Sequence, residues 1–459
     1  MTLGQHYVAI LNTAWKDVFA DRRTHRRAVE HALAWPSAMG ERTISQDICM
    51  LGRSQQDWSA DYKLYSRSRW NSEPLFEPVV DEYLKRYPKG PVVMPMDDTK
   101  IHKTGKHIPG ASWQRDPMSP PFHVNFIWGL RFLQASLTFP HHQEGPFSAR
   151  AFPIRFQHVP VVRKPRKDAT KEEWKQYRAR RQKENLSTAA LRVVQDVRQQ
   201  LDRKGAADRQ LLVPVDGGFC NRTFFKTPIP KVDVLARCRK DARLCFPDPS
   251  DSRRTYAMDV FSPEHVRKSD RLPWKTTRIY FGSKCRKVRY KVLDNVLWRR
   301  GAATRLLRLI VIAPIPYKMS PHSRLNYREP AYLLTTDLKT APKKLLQHYF
   351  DRWQIEVNHR DEKTILAVGQ SQVWSPLSVP RQPAFTVACY SMLLLACLRH
   401  SGPGRTSDFG PLPKWRKSQP NRPSLQDMLT LLRKNLCETS VSSMLDVNFA
   451  KNITVYAKT

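Results

Sequence analysis

The chain has 459 residues, with 78 lysines and arginines against 41 aspartates and glutamates, so its formal net charge is +37. Like charges repel one another in a compact state, so an excess of positive charge this large does not stabilise the fold. It predicts a polyanionic partner, DNA or RNA. A hydrophobic content of 41% excludes global disorder, and the length predicts roughly two to four structural units.

The eight cysteines are scattered and form no CxxC pair. This pattern argues against a zinc ribbon or finger. The sequence opens without a signal-peptide pattern, so we expect reduced thiols and a cytoplasmic location, in a bacterium close to the nucleoid.

Residues 1–88 are predicted to be mostly helical, with helical patterns in HYVAILNTAWKDVF, TISQDICMLG and EPVVDEYLKRY. Four arginines fall in what reads as a link between two of these helices: Arg22, Arg23, Arg26 and Arg27. A basic helical unit suits DNA binding, but a helical bundle with a solvated basic surface fits equally well.

The pattern changes at PVVMPMDDTK, a short apolar run that predicts a buried strand with Asp97 and Asp98 at its carboxyl end. Successive strand residues point to opposite faces, so the two aspartates cannot both be equal ligands in a regular strand. Two further segments, FHVNFIWGL and LQASLTFP, also read as strands.

A strongly basic segment follows, with ten basic and three acidic residues between 163 and 183. It fits either a solvent-exposed helix or an arm that tracks phosphates, and the sequence does not favour one over the other. The adjoining STAALRVVQDVRQQL is an amphipathic helix with Ser187 available as its N-cap.

The segment LLVPV predicts a second strand that ends in Asp216, and the two glycines after it permit a tight turn there. Strand patterns then dominate from 240 to 330, in TRIYFGS, KVRYKVL and RLLRLIVIAPI. These residues predict a β-rich insertion.

The stretch LLQHYFDRWQIEVNHRDEKT contains four side chains three, four and seven residues apart: Tyr349, Arg352, Glu356 and Lys363. At about 100° per residue they share one helix stripe roughly 60° wide, and the acids at 361 and 362 turn away from it. Charges at such spacings usually form a solvated face. A tyrosine beside an arginine in so basic a chain favours a different interpretation, in which the carboxylate of Glu356 is surrounded by donors that bind phosphate.

The most apolar run, Ala384–Leu398, is about fifteen residues long, too short to span a bilayer, and predicts a buried helix in a protein with no membrane partner. Residues 401–459 are basic and contain one clear helix, SLQDMLTLLRKNL, with a capping box from Ser424 and Asp427.

Three acidic positions are therefore candidates for one metal site: Asp97 or Asp98, Asp216, and Glu356. Hard divalent cations such as Mg²⁺ prefer carboxylate oxygens. Two such ions about 3.5–4 Å apart stabilise the attacking and leaving oxygens of an in-line displacement at phosphorus.

With these motifs the chain resembles the transposases of bacterial insertion sequences, in the DDE superfamily. It is most similar to the group whose glutamate helix carries the Y-(2)-R-(3)-E-(6)-K signature, which residues 349–363 match without a gap. MDDTK at 96–100 and VDGGF at 215–219 are similar to the first and second aspartate motifs of that group. The resemblance covers roughly residues 90–375 and favours Asp97 over Asp98, because the first aspartate of the superfamily tends to sit two residues before a threonine or serine.

The resemblance implies an α/β protein with an RNase H-like catalytic core, interrupted by a β-rich insertion, between a helical N-terminal DNA-binding region and a helical C-terminal region. The implied domains are 1–88, helical and DNA-binding; 89–239, first part of the core; 240–330, the insertion; 331–400, second part of the core with the glutamate helix; and 401–459, the basic C-terminal region.

The implied activity is cutting of transposon ends and their joining to target DNA. Asp97, Asp216 and Glu356 would hold two Mg²⁺ ions, with Mn²⁺ as the alternative, while Tyr349 and Arg352 position terminal phosphates and Lys363 contacts the backbone. The partners would be double-stranded DNA, as terminal inverted repeats and as target, and a second copy of the chain in the DNA complex. Two tryptophans of the insertion read either as stacking groups for an unpaired base or, more simply, as core residues: Trp274 and Trp298.

Three alternatives stay open at this point. A domesticated DDE nuclease would cut without strand transfer, and a non-catalytic DNA-binding regulator of transposition would keep the fold alone. A basic RNA-associated structural protein would explain the charge and leave the helix stripe as a coincidence.

Overall fold

The computed structural model of the protein describes residues 1–116, 119–120, 122–248, 254–320, 322–416 and 420–437. The α-helices in these ranges are α1 Leu3–Ala14, α2 Arg22–Ser37, α3 Ile44–Met50, α4 Ser59–Ser66, α5 Glu77–Arg86, α6 Lys171–Lys183, α7 Leu186–Arg203, α8 Arg222–Lys226, α9 Pro263–Lys268, α10 Arg299–Ala302, α11 Pro342–Asp351, α12 Trp353–Arg360, α13 Ser378–Ser401 and α14 Leu425–Leu436. The strands are β1 Val92–Val93, β2 Met96–His102, β3 Ser112–Arg115, β4 Phe126–Phe139, β5 Arg150–His158, β6 Leu211–Val215, β7 Val232–Arg237, β8 Lys275–Phe281, β9 Lys284–Val296, β10 Leu307–Ile312, β11 Pro316–Tyr317, β12 Asn326–Tyr327 and β13 Ala331–Thr335.

Eleven of these strands form one mixed sheet in the order β3-β4-β2-β6-β7-β13-β10-β9-β8, with β1 paired to β6 and β5 paired to β4. The pairs β1–β6, β2–β6 and β6–β7 are parallel, whereas β2–β4 and β4–β5 are antiparallel. With helices before, between and after these strands, the prediction of an α/β protein is confirmed at this level.

The strand-rich region between 240 and 330 continues this sheet. β13 pairs antiparallel with β7, and β10, β9 and β8 follow in turn. The three strand patterns read from the sequence there correspond to β8, β9 and β10, and only the short pair β11–β12 stands apart.

Two predictions for the first strands were wrong. FHVNFIWGL and LQASLTFP form one strand, β4, because pairing with β2 and β5 supports both halves. β5 was not predicted; it pairs antiparallel with β4, and its Pro153 lies opposite a shift in register at Ser136, an irregularity at which a sheet tolerates proline. Asp97 and Asp98 also do not end a strand: they lie near the start of β2, which pairs with β4 as far as His102.

The basic N-terminal and middle helices differ in detail from the sequence pattern. The four arginines between 22 and 27 form the first turns of α2, capped by Asp21, rather than a link. The N-cap of α7 is Asn185 and not Ser187, which lies one residue inside the helix. In both cases a neighbouring Asp or Asn side chain accepts the helix N–H bond that caps the helix.

The apolar helix was predicted too short. α13 has 24 residues, and by length and composition alone it could cross a membrane, but 83% of its most apolar window is buried inside the fold. Trp15 and Tyr65 of the N-terminal helices pack on its Phe385 with ring centroids 5.4 and 5.5 Å apart. α13 is thus the central core helix, with the N-terminal helices packed around it.

The C-terminal helix α14 begins at the predicted capping box, in which Ser424 and Asp427 bond each other's backbone. Arg433 of α14 donates to the carbonyls of Pro36 and Ala38 at the end of α2. The remainder of the predicted basic tail, 438–459, lies outside the described residues.

Candidate active site

The register of the parallel strands brings two of the predicted aspartates together. Met96 of β2 pairs with Val215 of β6. The residues that follow these two partners are Asp97 and Asp216, so both carboxylates emerge side by side where the parallel pairing ends. Asp216 then accepts a hydrogen bond from the Gly218 N–H at 2.9 Å, in the tight turn that the glycines permit.

The third carboxylate comes from a helix that is less regular than its sequence pattern. The chain stays helical where α11 passes into α12: Arg352 has φ −50° and ψ −32°, and its N–H donates to the carbonyl of His348 at 3.1 Å. After α12 the chain winds into a π-helical turn over Asp361–Ile365. Arg352 and Glu356 therefore share one helix face as predicted, but Lys363 lies in the π turn and departs from a regular α-helical stripe. The two acids predicted to turn away do so, because Asp361 and Glu362 are buried in the core.

Asp97, Asp216 and Glu356 line one open cleft of about 640 Å³. The cleft lies at the carboxyl ends of β6 and β7, the edge at which parallel sheets place their ligand sites. Its other walls come from the turn after β6, the end of β7, the start of β13 and the junction of α11 and α12. The lining residues in these segments are Gly217, Arg237, Cys238, Arg239, Lys240, Glu329, Pro330, Tyr332, Arg352 and Trp353.

Arg352 stands between the carboxylates. Its Nη2 donates to Oε1 of Glu356 at 2.8 Å, and its Nη1 lies 3.9 Å from Oδ2 of Asp97. Its Nε and Nη1 are buried and find no hydrogen-bond partner among the described residues. Buried donors without partners are costly, so the contacts of Arg352 with the two carboxylates leave part of its hydrogen-bonding capacity unused.

The electrostatics of the cleft show an excess of negative charge around Asp97. Burial and the nearby Asp216 carboxylate raise the pKa of Asp97 to about 7, against the opposing effect of Arg352. Burial lowers the pKa of the Arg352 guanidinium, but Glu356 and Asp97 more than compensate and raise it. One arginine thus offsets the repulsion between carboxylates only in part.

Asp98 faces a different environment. It is not among the residues that line the cleft. Burial raises the pKa of its carboxyl, while Arg131 and Lys100 act in the opposite direction. The alternation of strand residues explains the separation, so the geometry favours Asp97 over Asp98 for the cleft.

The other two signature residues lie beside the cleft. Tyr349 lines an adjoining cavity with Phe350, and burial raises the pKa of its phenol. Lys363 is exposed as a whole residue, but the surrounding chain partly desolvates its ammonium group, which lowers its pKa. Glu362 and the aspartates at 97 and 98 act in the opposite direction. Both therefore sit within electrostatic range of the carboxylates without lining the cleft.

The donor set suits a hard divalent cation in its chemistry, because it consists of carboxylate oxygens of which two repel each other. The arrangement is not a ready-made cage, and no group of three or more ligand side chains is close enough to hold an ion in the described part of the chain. The reason is visible at Glu356, which bonds to Arg352 instead of turning to the aspartates. Mg²⁺ coordination would require Glu356 to exchange that bond for a metal.

Sequence reasoning missed the basic wall of the cleft. Arg237 ends β7, and Arg239 and Lys240 follow directly. The signal was available in ARCRKDAR, where a basic cluster follows an apolar strand run, as the aspartate of LLVPVD does. Because parallel strands end at one edge, the two patterns together place the basic residues opposite Asp216.

The two tryptophans of the insertion pack against the core. Trp298 contacts Phe225 with ring centroids 5.6 Å apart, and Trp274 is covered by Arg289 and Lys291. Both lie partly buried against the main hydrophobic cluster. Their core interpretation is the one that the contacts favour.

The chain matches no protein-family model, and no curated protein is significantly similar to it in sequence.

Proposed function

We propose that this protein is a DNA transposase of the DDE type, which cuts transposon ends and joins them to target DNA by metal-dependent phosphoryl transfer. The observation that carries the proposal is the convergence of Asp97, Asp216 and Glu356, from chain positions more than a hundred residues apart, in one cleft with a basic wall. A cleft lined by both carboxylates and basic side chains suits a phosphodiester and the ions that activate it.

The strand order supports an RNase H-like core for this proposal. β5, β4 and the β1–β2 strand are antiparallel neighbours, and β6 and β7 continue in parallel beyond them. The first strand in the chain is thus central, and the aspartate motifs lie on the two parallel neighbours at the middle of the sheet. An RNase H-like fold expects its first two acids in these places.

Asp97, Asp216 and Glu356 are the residues that would hold the Mg²⁺ or Mn²⁺ ions. When bound, such ions activate the attacking hydroxyl and neutralise charge on the scissile phosphate. Arg352 lines the same cleft and would supply positive charge to phosphate oxygens there. Arg237 and Lys240, which also line the cleft, would contact the DNA backbone.

The adjacent aspartates provide a matched test. Asp97→Asn and Asp98→Asn make the same chemical change at consecutive positions, but only Asp97 lines the cleft. We expect Asp97→Asn to abolish Mg²⁺-dependent cleavage of duplexes that carry the DNA flanking the gene, and Asp98→Asn to retain cleavage. Gel-shift assays on the same duplexes should show binding by both variants.

The products decide among the candidate activities. Transfer of a cut 3′ end into a plasmid identifies a transposase, whereas cleavage without joining identifies a nuclease. If the parent binds DNA but neither cuts nor joins it with Mg²⁺ or Mn²⁺, the catalytic proposal is wrong and a DNA-binding regulator remains. Equal cleavage by the Asp97→Asn variant and the parent would also exclude the proposed site.

A further inference from the structure

The most basic exposed feature of the molecule lies outside the cleft, between β5 and α7. All ten of its lysines and arginines are exposed. Only two of them pair with a carboxylate of the described residues, Lys175 with Glu172 and Arg180 with Glu184. We call this segment the arm, and its basic residues are Arg163, Lys164, Arg166, Lys167, Lys171, Lys175, Arg178, Arg180, Arg181 and Lys183.

The helix of the arm, α6, contributes nothing to the core. It has no buried residue, and its N-terminus is held by a capping box between Thr170 and Glu173. Its aromatic side chains contact the arm itself, with Trp174 against Tyr177 and under Lys164. Isolated helices of this length are marginal in water, and a helix that is polar on all sides lacks the apolar face that tertiary packing needs. The fold therefore maintains a charged helix without burying it.

The arm is connected to the candidate site through a second cleft. This cleft, of about 700 Å³, is lined by Tyr177 and Arg181 of α6, by the start of α7 and by the turn after Asp216. Gly218 of that turn lines the second cleft, whereas Asp216 and Gly217 line the first. A single turn thus separates the two clefts.

Basic side chains also line the cleft on the far side of that turn. Arg131 and Arg222 line the second cleft together with Arg181. Arg131 also donates to the carbonyl of Val159, at the start of the chain that leads into the arm. The one acid in the lining, Glu184, is paired with Arg180. Basic side chains therefore lie on both sides of the Asp216 turn.

From this arrangement we propose that the arm is a clamp for the DNA backbone, which binds phosphates of the duplex that leaves the candidate site past the Asp216 turn. α6 is about 20 Å long, the length of roughly six base pairs at 3.4 Å per step. Its exposed, unpaired cations release counterions from phosphates without reading bases. The choice of DNA as the partner rests on the proposed function, but the charge complementarity of the arm does not.

The test removes charge from the arm and, separately, from the opposite edge of the sheet. The arm variant carries Lys171→Gln, Arg178→Gln, Arg181→Gln and Lys183→Gln, four exposed cations of α6 without an ion pair among the described residues. Glutamine keeps helix propensity. The control loses the same four charges at exposed positions near the amino ends of the parallel strands: Lys85→Gln, Lys89→Gln, Arg203→Gln and Lys231→Gln.

Binding of a short duplex of arbitrary sequence is measured with the full chain in EDTA, from about 50 to 200 mM salt. Each phosphate contact contributes about 0.9 to the log–log salt slope, so the arm variant should lose up to about 3.6 from the slope. Over that fourfold salt range, the parent would then lose about 150-fold more affinity than the arm variant. The control should keep the slope of the parent.

Equal slopes in the arm variant and the parent, or equal losses in the arm variant and the control, would overturn the clamp. A loss confined to an RNA duplex would assign the arm to RNA instead. Because the assay uses EDTA and arbitrary DNA, it does not depend on cleavage. The clamp can therefore fail while the Asp97 test succeeds, and the reverse also holds. Circular dichroism and thermal melting should be unchanged, since no substituted side chain is buried.

Discussion

Two of the clusters of mixed charge in the described part of the protein differ in how their charges are balanced. One cluster is closed among α2, α3 and α4, where His31 lies fully buried between Asp47 and Asp61. Arg27 and Arg53 also contact Asp61 at 3.1 and 3.0 Å. The other cluster is the cleft at the carboxyl ends of β6 and β7.

In the closed cluster, three carboxylates meet four groups that can carry positive charge, once Glu30 is counted with its partners Arg26 and Arg53. Burial opposes ionisation of Asp61, but the hydrogen bond from His31 and the charges of the two arginines hold its pKa below the usual range. In the cleft, Arg352 contacts Asp97 and Glu356 but not Asp216, and the pKa of Asp97 is raised. The same residue types are therefore balanced by close partners in the closed cluster, whereas in the cleft they leave negative charge that the proposed cations would neutralise.

Removal of one carboxylate from the closed cluster should give the largest effect. Asp61→Asn leaves His31 and two arginines around a neutral side chain, and loss of one partner from a buried pair costs about 3–5 kcal/mol. We expect the free energy of unfolding in urea to fall by that amount. The exposed Asp17→Asn in the same helical unit should change it by less than about 0.5 kcal/mol. A similar small change for Asp61→Asn would show that the closed cluster is not stabilising.

The same type of change in the open cluster should affect activity rather than folding. Glu356→Gln keeps an oxygen for the bond from Arg352 but removes the charge that a divalent ion needs. Changes to groups that merely orient metal ligands cost about 10–100-fold, so loss of a ligand should slow Mg²⁺-dependent cleavage by more than about a hundredfold, or about 2.7 kcal/mol of barrier.

Glu329→Gln is the matched control, since Glu329 lines the same cleft but is not one of the three proposed metal ligands. It should retain cleavage, and both variants should bind the DNA ends. Cleavage by Glu356→Gln at the rate of the parent would remove Glu356 from the ligand set and leave the helix as a charged surface.

A pH dependence of stability should arise at Asp97. Its folded pKa of about 7 lies above the unfolded value near 4, so the folded state binds the proton more tightly. Its contribution to stability is complete below about pH 4 and is lost as the pH rises through 7. Asp97→Asn should therefore match the parent near pH 4 and exceed its stability above pH 7, by about 1.4 kcal/mol for each unit of raised pKa.

The effect of Mg²⁺ on the stability of the parent and of Asp97→Asn provides a second measurement. At pH 8 an ion bound between the aspartates relieves their repulsion, so the parent should gain about 0.4 kcal/mol when Mg²⁺ equals its dissociation constant. Asp97→Asn should not respond. A parent that is indifferent to Mg²⁺, or a stability difference that does not change with pH, would show that Asp97 and Asp216 do not share a cation site.

Much of the fold could be predicted locally, and the misses have specific causes. The strands that carry Asp216 and the 275–312 region follow from apolar patterns of normal length. β5 was missed and the two halves of β4 were separated because a local pattern does not show the pairing partners on each side. The π turn at Asp361–Ile365 also depends on packing, since nothing in the local residues forbids a continuous α-helix there.

The sequence by itself determined the kind of chemistry available: a strong positive charge, two aspartate motifs after apolar runs, and a helix with Arg352 and Glu356 on one side. Only the tertiary structure decided which aspartate enters the cleft, because the pairing of Met96 with Val215 sets the register beside Asp216. It also decided that Arg352 holds Glu356 and that the basic residues after β7 form the facing wall. These contacts join residues far apart in the chain, and the periodicity of a single segment contains no information about its partners.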